Sequence, residues 1–256
     1  MSPVRRARRG TVEVLTIDRL DAANAIDAEV EWAINDALDE LEGDDRILAV
    51  VLTGAGDRVF SAGADLKASA CGDDDKRGSP PRGFGGMTRG RFAKLLIAAV
   101  NGTAVAGGFE LVLGCDLVVA EEHARFGLPE VKRGLLAGAG GVVRLAQRVP
   151  PAIALELAMT GEPIDARRAY ELGLVNRVVP RGTAVEAAVE LAQTIAHNAP
   201  LSVRASRELV YAAVELPADD AWRRNDELVL AVSRSEDARE GPLAFAEKRL
   251  PCWSGK

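Results

Sequence analysis

The sequence predicts an α/β fold with a helical C-terminal segment, on the strength of three patterns. Apolar runs typical of buried strands recur at 47–53, 97–101 and 117–120. Helical patterns lie between the strands of this first part. Beyond the last run, helical patterns dominate. We therefore expect an α/β core over residues 1–195 and a helical segment over residues 196–256.

The predicted elements follow in chain order. Residues 11–18 alternate between apolar and polar side chains, which predicts a strand. Residues 27–42 carry an apolar stripe with helical spacing, and Asp27 is the expected N-cap. A Gly-Gly pair opens the next helix, near 107–115. Further helices are expected at 140–148, 151–159, 165–172, 183–198, 200–215, 218–232 and 236–248.

Residues 68–90 show no regular pattern and are rich in glycine, proline and charge. Loops of this length inside a compact domain are usually functional lids or disordered segments. Because the segment lies between two predicted core strands, a mobile cover over a pocket is the favoured interpretation. Passive disorder is the alternative.

Composition excludes several classes of function. The 256-residue chain has a net charge of −6, which disfavours general affinity for nucleic acid. The basic run at 5–9 is expected to be a solvated tail, with an anion-binding arm as the alternative. No apolar run reaches the length of a membrane span. The odd, widely spaced cysteines Cys71, Cys115 and Cys252 favour a reducing, cytoplasmic setting over disulfides or a metal site.

Two glutamates, Glu110 and Glu130, stand in glycine-rich and otherwise apolar surroundings. Carboxylates are rarely buried without a reason, because they lose hydration there. Facing one cavity, the two would form an acid–base pair able to handle a water molecule. The alternatives are a capping role for Glu110 and a surface position for Glu130, paired with Lys132 or Arg133.

Two backbone N–H groups are candidate donors beside this pair. Gly107 stands at the start of a predicted helix, where N–H groups lack internal acceptors and the helix dipole is positive. A second donor near Ala64, in the turn at 60–67, would complete a two-donor oxyanion hole. The alternative for that turn is a tight bend packed against the core. Glu110 lies one helical turn after Gly107, so its carboxylate can face the same space.

Taken together, these motifs resemble the crotonase (enoyl-CoA hydratase/isomerase) superfamily, from about residue 10 to the end of the chain. Within it the chain is most similar to the carnitinyl-CoA dehydratase (crotonobetainyl-CoA hydratase) branch. The motifs that carry the resemblance are those at 24–27, 50–67, 97–120, 126–134, 138–145, 159–179 and 241–249.

The resemblance implies a crotonase-type spiral of ββα units with a helical C-terminal trimerisation segment. It also implies an enoyl-CoA hydratase, a homotrimer or dimer of trimers, in which Glu110 and Glu130 are the catalytic carboxylates. Ala64 and Gly107 would bind the thioester oxygen. No metal and no separate cofactor are expected, since coenzyme A is part of the substrate.

Coenzyme A itself would be held, by the same resemblance, at Ala62, Ala64, Asp65, Lys67 and Lys248. Other activities of the superfamily remain open at this point: enoyl-CoA isomerase, acyl-CoA thioester hydrolase, or acyl-CoA binding without catalysis. The chain departs from the family pattern where Leu20, Leu95 and Ala137 replace prolines. Losing a proline frees φ and restores a backbone donor, so the loop after Glu130 is expected to be looser.

Overall fold

The computed structural model describes residues 2–66 and 78–256. The chain divides into two compact units, residues 1–192 and 193–256. The strands are β1 (Val4–Arg9), β2 (Val12–Ile17), β3 (Ala49–Gly54), β4 (Val59–Ser61), β5 (Leu95–Val100), β6 (Thr103–Val105), β7 (Leu117–Glu121), β8 (Arg125–Gly127), β9 (Ile164–Asp165) and β10 (Arg177–Val179). The helices are α1 (Ala28–Glu42), α2 (Gly107–Gly114), α3 (Gly141–Arg148), α4 (Pro151–Thr160), α5 (Ala166–Glu171), α6 (Ala184–Ala196), α7 (Pro200–Glu215), α8 (Ala218–Ser233) and α9 (Asp237–Glu247).

The first unit contains two sheets. The larger has the order β1-β2-β3-β5-β7-β10 and the smaller β4-β6-β8-β9. Pairing is antiparallel between β1 and β2 and between β8 and β9, and the other neighbours run parallel. Successive strands alternate between the sheets, since β3, β5 and β7 lie in one and β4, β6 and β8 in the other. The predicted α/β spiral of ββα units is confirmed.

The two best-defined sequence patterns form the expected elements. Every residue of β3 is buried, as a continuous apolar run in the middle of a parallel sheet requires. Helix α1 begins after Asp27, whose carboxylate accepts the Val30 N–H at 3.0 Å and so caps the helix. The buried face of α1 includes Ile34 and Leu38 in the main core.

The expectation of a solvated tail at residues 5–9 is wrong. This run belongs to β1, which pairs in register with β2. Its arginine side chains stay outside and bind carboxylates of the same chain: Arg6 contacts Glu13 and Glu40, and Arg9 contacts Glu186. Because these arginines are paired with carboxylates, little of their positive charge remains to attract an external anion.

The long segment at 68–90 falls partly outside the described residues, which resume at 78. Its described part contains a 3-10 turn at Phe84–Gly86, and the four residues 85–88 are buried. Arg82 forms ion pairs at 2.7 Å with Asp39 and Glu42 of α1. This part of the segment is therefore packed against α1, unlike a free cover.

The second unit contains the three predicted helices α7, α8 and α9. Its C-terminal residues fold back onto α9, because the buried Asp237 carboxylate accepts the N–H groups of Ser254 and Gly255. Large apolar side chains remain exposed here: Trp222 is 69% exposed, Phe245 88% and Leu250 89%.

Candidate active site

Close packing at the start of α2 explains why glycine occupies positions 107 and 108. A Cβ on Gly108 would lie 2.1 Å from the Ser61 carbonyl oxygen, and one on Gly107 would lie 2.5 Å from ring atoms of Phe84. Ala106, the residue before the helix, has φ 52° and ψ −131°. A non-glycine residue rarely adopts this conformation, and such strain concentrates at functional sites.

The two predicted oxyanion donors lie on either side of this contact. Ile26 N–H donates to Gly63 O and Asp65 N–H donates to Ile26 O, so the N–H of Ala64, between them, points away from Ile26. Gly107 is the first residue of α2, where no intrahelical acceptor exists. A Cβ on Gly63 would lie 2.6 Å from the Gly107 nitrogen. Within residues 2–66 and 78–256, neither the Ala64 nor the Gly107 N–H has an acceptor.

The loop that carries Ala64 is anchored by ionic and backbone contacts. Asp65 accepts a hydrogen bond from Arg19 at 3.1 Å, and the same guanidinium lies 2.9 Å from Asp27. Ala62 N–H donates to Ala23 O. The structure therefore brings three of the predicted coenzyme A contacts, Ala62, Ala64 and Asp65, onto one anchored loop.

The structure does not test the other two predicted coenzyme A contacts. Lys67 lies outside the described residues. Lys248 belongs to the second unit, where it caps α9 with a positive φ of 55°.

Glu110 is buried in the first turn of α2, with 4% of its surface exposed. Gly141 N–H, at the start of α3, donates to its Oε1 at 2.8 Å. Burial raises the pKa of Glu110 above its usual value, and the charge of Glu130 adds to that rise. The N–H groups of Gly141 and Ala139 and the charge of Arg144 act in the opposite direction.

Glu130 lies in a 3-10 helix, Pro129–Arg133, and is half-buried. Burial raises the pKa of Glu130 as well, opposed by its own backbone N–H and by the charge of Arg133. Its Oε2 is buried and has no hydrogen-bond partner in the described part of the chain. Lys132 does not neutralise it, since the lysine pairs with Glu162 at 2.6 Å. A buried oxygen without a partner is a position where water or substrate can bind.

The roles of three contributors to this site were not predicted from the sequence. Gly141 anchors the base candidate, Gly63 allows the loop contact, and Phe84 covers Gly107. The glycine-rich stretch at 138–141, just before a predicted helix, was the available signal for an anion-binding N-terminus. Nothing local distinguishes Phe84 from a core aromatic residue.

Across the described positions, no group of three or more His, Cys, Asp or Glu side chains could hold a metal ion. None of the helices in these same ranges is both long and apolar enough to cross a membrane.

A spiral of ββα units with a backbone contact at the start of a buried helix defines a crotonase-fold protein. The sequence profile of the enoyl-CoA hydratase/isomerase family matches residues 7–256. A carnitinyl-CoA dehydratase of Salmonella typhi is 44% identical over 254 residues, covering 97% of each chain. The chain belongs to the enoyl-CoA hydratase/isomerase family, as its sequence motifs predict.

Solved structures of similar proteins agree with this assignment. An enoyl-CoA hydratase from Mycobacterium tuberculosis H37Rv aligns with a TM-score of 0.93 at 43% identity, with 100% of both chains covered. A carnitinyl-CoA hydratase from Mycobacterium avium aligns with a TM-score of 0.80 at 50% identity, also over 100% of both chains.

Proposed function

We propose that this protein catalyses the reversible addition of water to a trans-2-enoyl-CoA thioester. The observation that carries the proposal is the carboxylate pair: Glu110 is fixed by Gly141, and Glu130 has a buried oxygen without a partner in the described residues. The names of the similar proteins, hydratases and dehydratases, support the same reaction class.

In this mechanism Glu110 removes a proton from water, whose oxygen bonds to Cβ of the substrate. The electrons of the double bond move toward the thioester oxygen, which the Ala64 and Gly107 N–H groups stabilise. Each such donor contributes about 3–4 kcal/mol in comparable oxyanion holes. Glu130 then delivers its proton to Cα, and exchange with solvent restores both groups. Dehydration reverses these steps.

This mechanism requires one glutamate to be ionised, as the base, while the other is protonated, as the acid. The raised pKa values of both groups favour that state, because two carboxylates in one poorly solvated site resist ionising together. The reaction is therefore expected to need an intermediate pH, with activity lost when both groups are protonated or both ionised.

The test compares the parent protein with Glu110→Gln and Glu130→Gln, following loss of the enoyl absorbance of crotonyl-CoA. Each change should lower kcat by at least about 100-fold, the usual contribution of a positioned acid or base. Binding of a saturated acyl-CoA should persist in both variants. Glu122→Gln, at an exposed position, is the matched control. Near-parental turnover in either site variant would refute the paired-carboxylate mechanism.

The acyl group is the finer part of the proposal. Carnitinyl-CoA is named in similar proteins, and the half-buried Phe84 ring beside Gly107 is the aromatic group we propose to contact a trimethylammonium group. The parent should therefore prefer crotonobetainyl-CoA to crotonyl-CoA. Phe84→Leu should reduce that preference by about 30-fold, since a desolvated cation–π contact contributes about 2 kcal/mol. An unchanged ratio of kcat/KM for the two substrates would contradict the aromatic contact.

Assembly, coenzyme A contacts and cellular setting complete the proposal. A homotrimer or dimer of trimers would bury the exposed Trp222, Phe245 and Leu250, and sedimentation analysis at micromolar concentration would measure it. A stable monomer would contradict this assembly.

Lys67 and Lys248 remain proposed contacts for the coenzyme A phosphates, and a cytoplasmic location remains proposed. The C-terminal segment, 196–256, would supply much of the subunit contact.

A further inference from the structure

Arg144, in α3, reaches two loops that come from distant parts of the sequence. Its Nη1 donates to the Ala139 carbonyl at 3.1 Å, and its Nη2 donates to the Thr88 carbonyl at 2.5 Å. The side chain is half-buried. A guanidinium presents several donors in a fixed fork, so it can hold two carbonyls in a defined geometry.

The first of these loops positions Glu110. Gly141 N–H donates to the Glu110 carboxylate, and the neighbouring Ala139 N–H helps to lower the pKa of that carboxyl. Arg144 binds the carbonyl of the same Ala139. The guanidinium also lies over Gly140, where a Cβ would be 2.1 Å from Nη1. This turn, with Gly140 at φ 99°, is therefore shaped around the arginine.

The second loop positions the Phe84 ring, which packs on Gly107 and is called here the Phe84 cover. The Thr88 hydroxyl donates to the Phe84 carbonyl at 2.9 Å, and the Phe84 ring packs on Gly107. The Thr88 carbonyl is the acceptor for Arg144. One side chain thus connects the turn that holds the carboxylate with the turn whose Phe84 ring packs on Gly107.

We propose that Arg144 is a positioning residue that holds the Glu110 carboxylate and the Phe84 cover in a fixed relation. It acts through Ala139 and Thr88. Its role rests on the hydratase function proposed above. In the described part of the chain, the charged groups that act on Glu110 are Arg144 from α3 and Glu130 from the 3-10 helix. Arg144 favours the ionised form of Glu110, and Glu130 opposes it.

The experiment uses two substitutions at Arg144 and one control. Arg144→Met keeps the aliphatic stem but removes the charge and both hydrogen bonds, whereas Arg144→Lys keeps the charge. Arg148→Met is the matched control. Arg148 lies one helical turn further on, and its Nη2 likewise donates to a carbonyl, that of Cys115, at 2.5 Å. Circular dichroism and thermal melting establish that each variant is folded.

For crotonyl-CoA hydration, Arg144→Met should lower kcat by about 100-fold, the cost of a catalytic group displaced by about 1 Å. The acidic limb of its pH–rate profile should move to higher pH, because Glu110 loses the charge that lowers its pKa. Arg144→Lys should restore the position of that limb and part of kcat. Arg148→Met should change thermal stability without moving the limb.

The proposal is overturned if Arg144→Met leaves the acidic limb in place, or if Arg148→Met moves it equally. Titrating Glu110 by ¹³C NMR, with its signal assigned from Glu110→Gln, gives a second readout that needs no activity. If the parent hydrates no enoyl-CoA, the proposed function fails. The NMR comparison of parent and Arg144→Met then still decides whether Arg144 controls Glu110.

Discussion

Gly141→Ala should damage catalysis while leaving the fold intact. A Cβ at this position would lie 2.9 Å from both Cγ and Oε1 of Glu110, and 3.1 Å from the Cβ of Ala137. Carbon atoms in ordinary contact are about 3.5–4.0 Å apart. The Glu110 carboxylate must therefore move away by about 0.5 Å, which stretches the 2.8 Å hydrogen bond from the Gly141 N–H.

The expected size of the effect follows from that displacement. If a 1 Å displacement costs about 100-fold in rate, half of it should lower kcat about tenfold. Weakening the Gly141 hydrogen bond also raises the pKa of Glu110 further, so the acidic limb of the pH–rate profile should move upward. Stability should change little, because overpacking costs about 1–3 kcal/mol while alanine gains up to about 1 kcal/mol over glycine in a helix.

Gly138→Ala is the matched control for this substitution. It lies in the same turn, and the nearest neighbour of its Cβ would be the Leu136 carbonyl oxygen at 3.7 Å, an ordinary contact. Steady-state hydration of crotonyl-CoA, measured across pH, compares the two variants. Parental kcat and an unmoved acidic limb in Gly141→Ala would refute the view that this glycine positions Glu110.

Other changes have equally specific expected outcomes. Gly63→Ala, at φ 88° with its Cβ 2.6 Å from the Gly107 nitrogen, should separate the oxyanion donors and lower kcat about 100-fold; steady-state kinetics of the folded variant would measure this. Glu110→Gln and Glu130→Gln should each raise the melting temperature at pH 7, with the gain vanishing by pH 4. The raised pKa of each glutamate favours its protonated form in the fold, so its stabilisation is present at low pH and is lost as the pH rises through the folded pKa. Asn24→Ala should lower the free energy of unfolding in urea by about 2–4 kcal/mol, because this buried amide donates to two backbone carbonyls, which would be left without it. In D₂O, Glu110→Gln should retain exchange of the Cα proton of butyryl-CoA, which needs only Glu130, whereas Glu130→Gln should lose it; proton NMR would distinguish the two.

Elements with a long, one-sided pattern were predictable from sequence. β3 is a continuous apolar run, and α1 carries an apolar stripe behind its Asp27 cap, so local chemistry determines both. The strands β4, β6 and β8 have three residues each, too few to display a period. β1 was not predicted because its exposed arginines give it no alternating apolar pattern. Its strand conformation depends on the pairing with β2, which is a tertiary contact.

The site was predictable to the extent that its chemistry is local. Glu110 follows a Gly-Gly helix start within four residues, so the candidate donor and base occur in one motif. The Gly141 contact spans 31 residues and the Thr88–Arg144 contact spans 56, and no local pattern encodes either. Phe84 was visible as an aromatic residue in a long loop, but its place over Gly107 depends on how that loop packs against α1.

The surroundings of the two glutamates separate their chemical roles even though burial raises both pKa values. Glu110 accepts the Gly141 N–H at the start of α3, and the charge of Arg144 also favours its anion. Glu130 has an oxygen with no donor in the described residues, so its anion is less well supported. The single proton available to the pair should therefore reside on Glu130. In the proposed mechanism, that distribution would make Glu110 the base toward water and Glu130 the acid toward Cα. It would depend on the turn at 138–141 as much as on the carboxylates themselves.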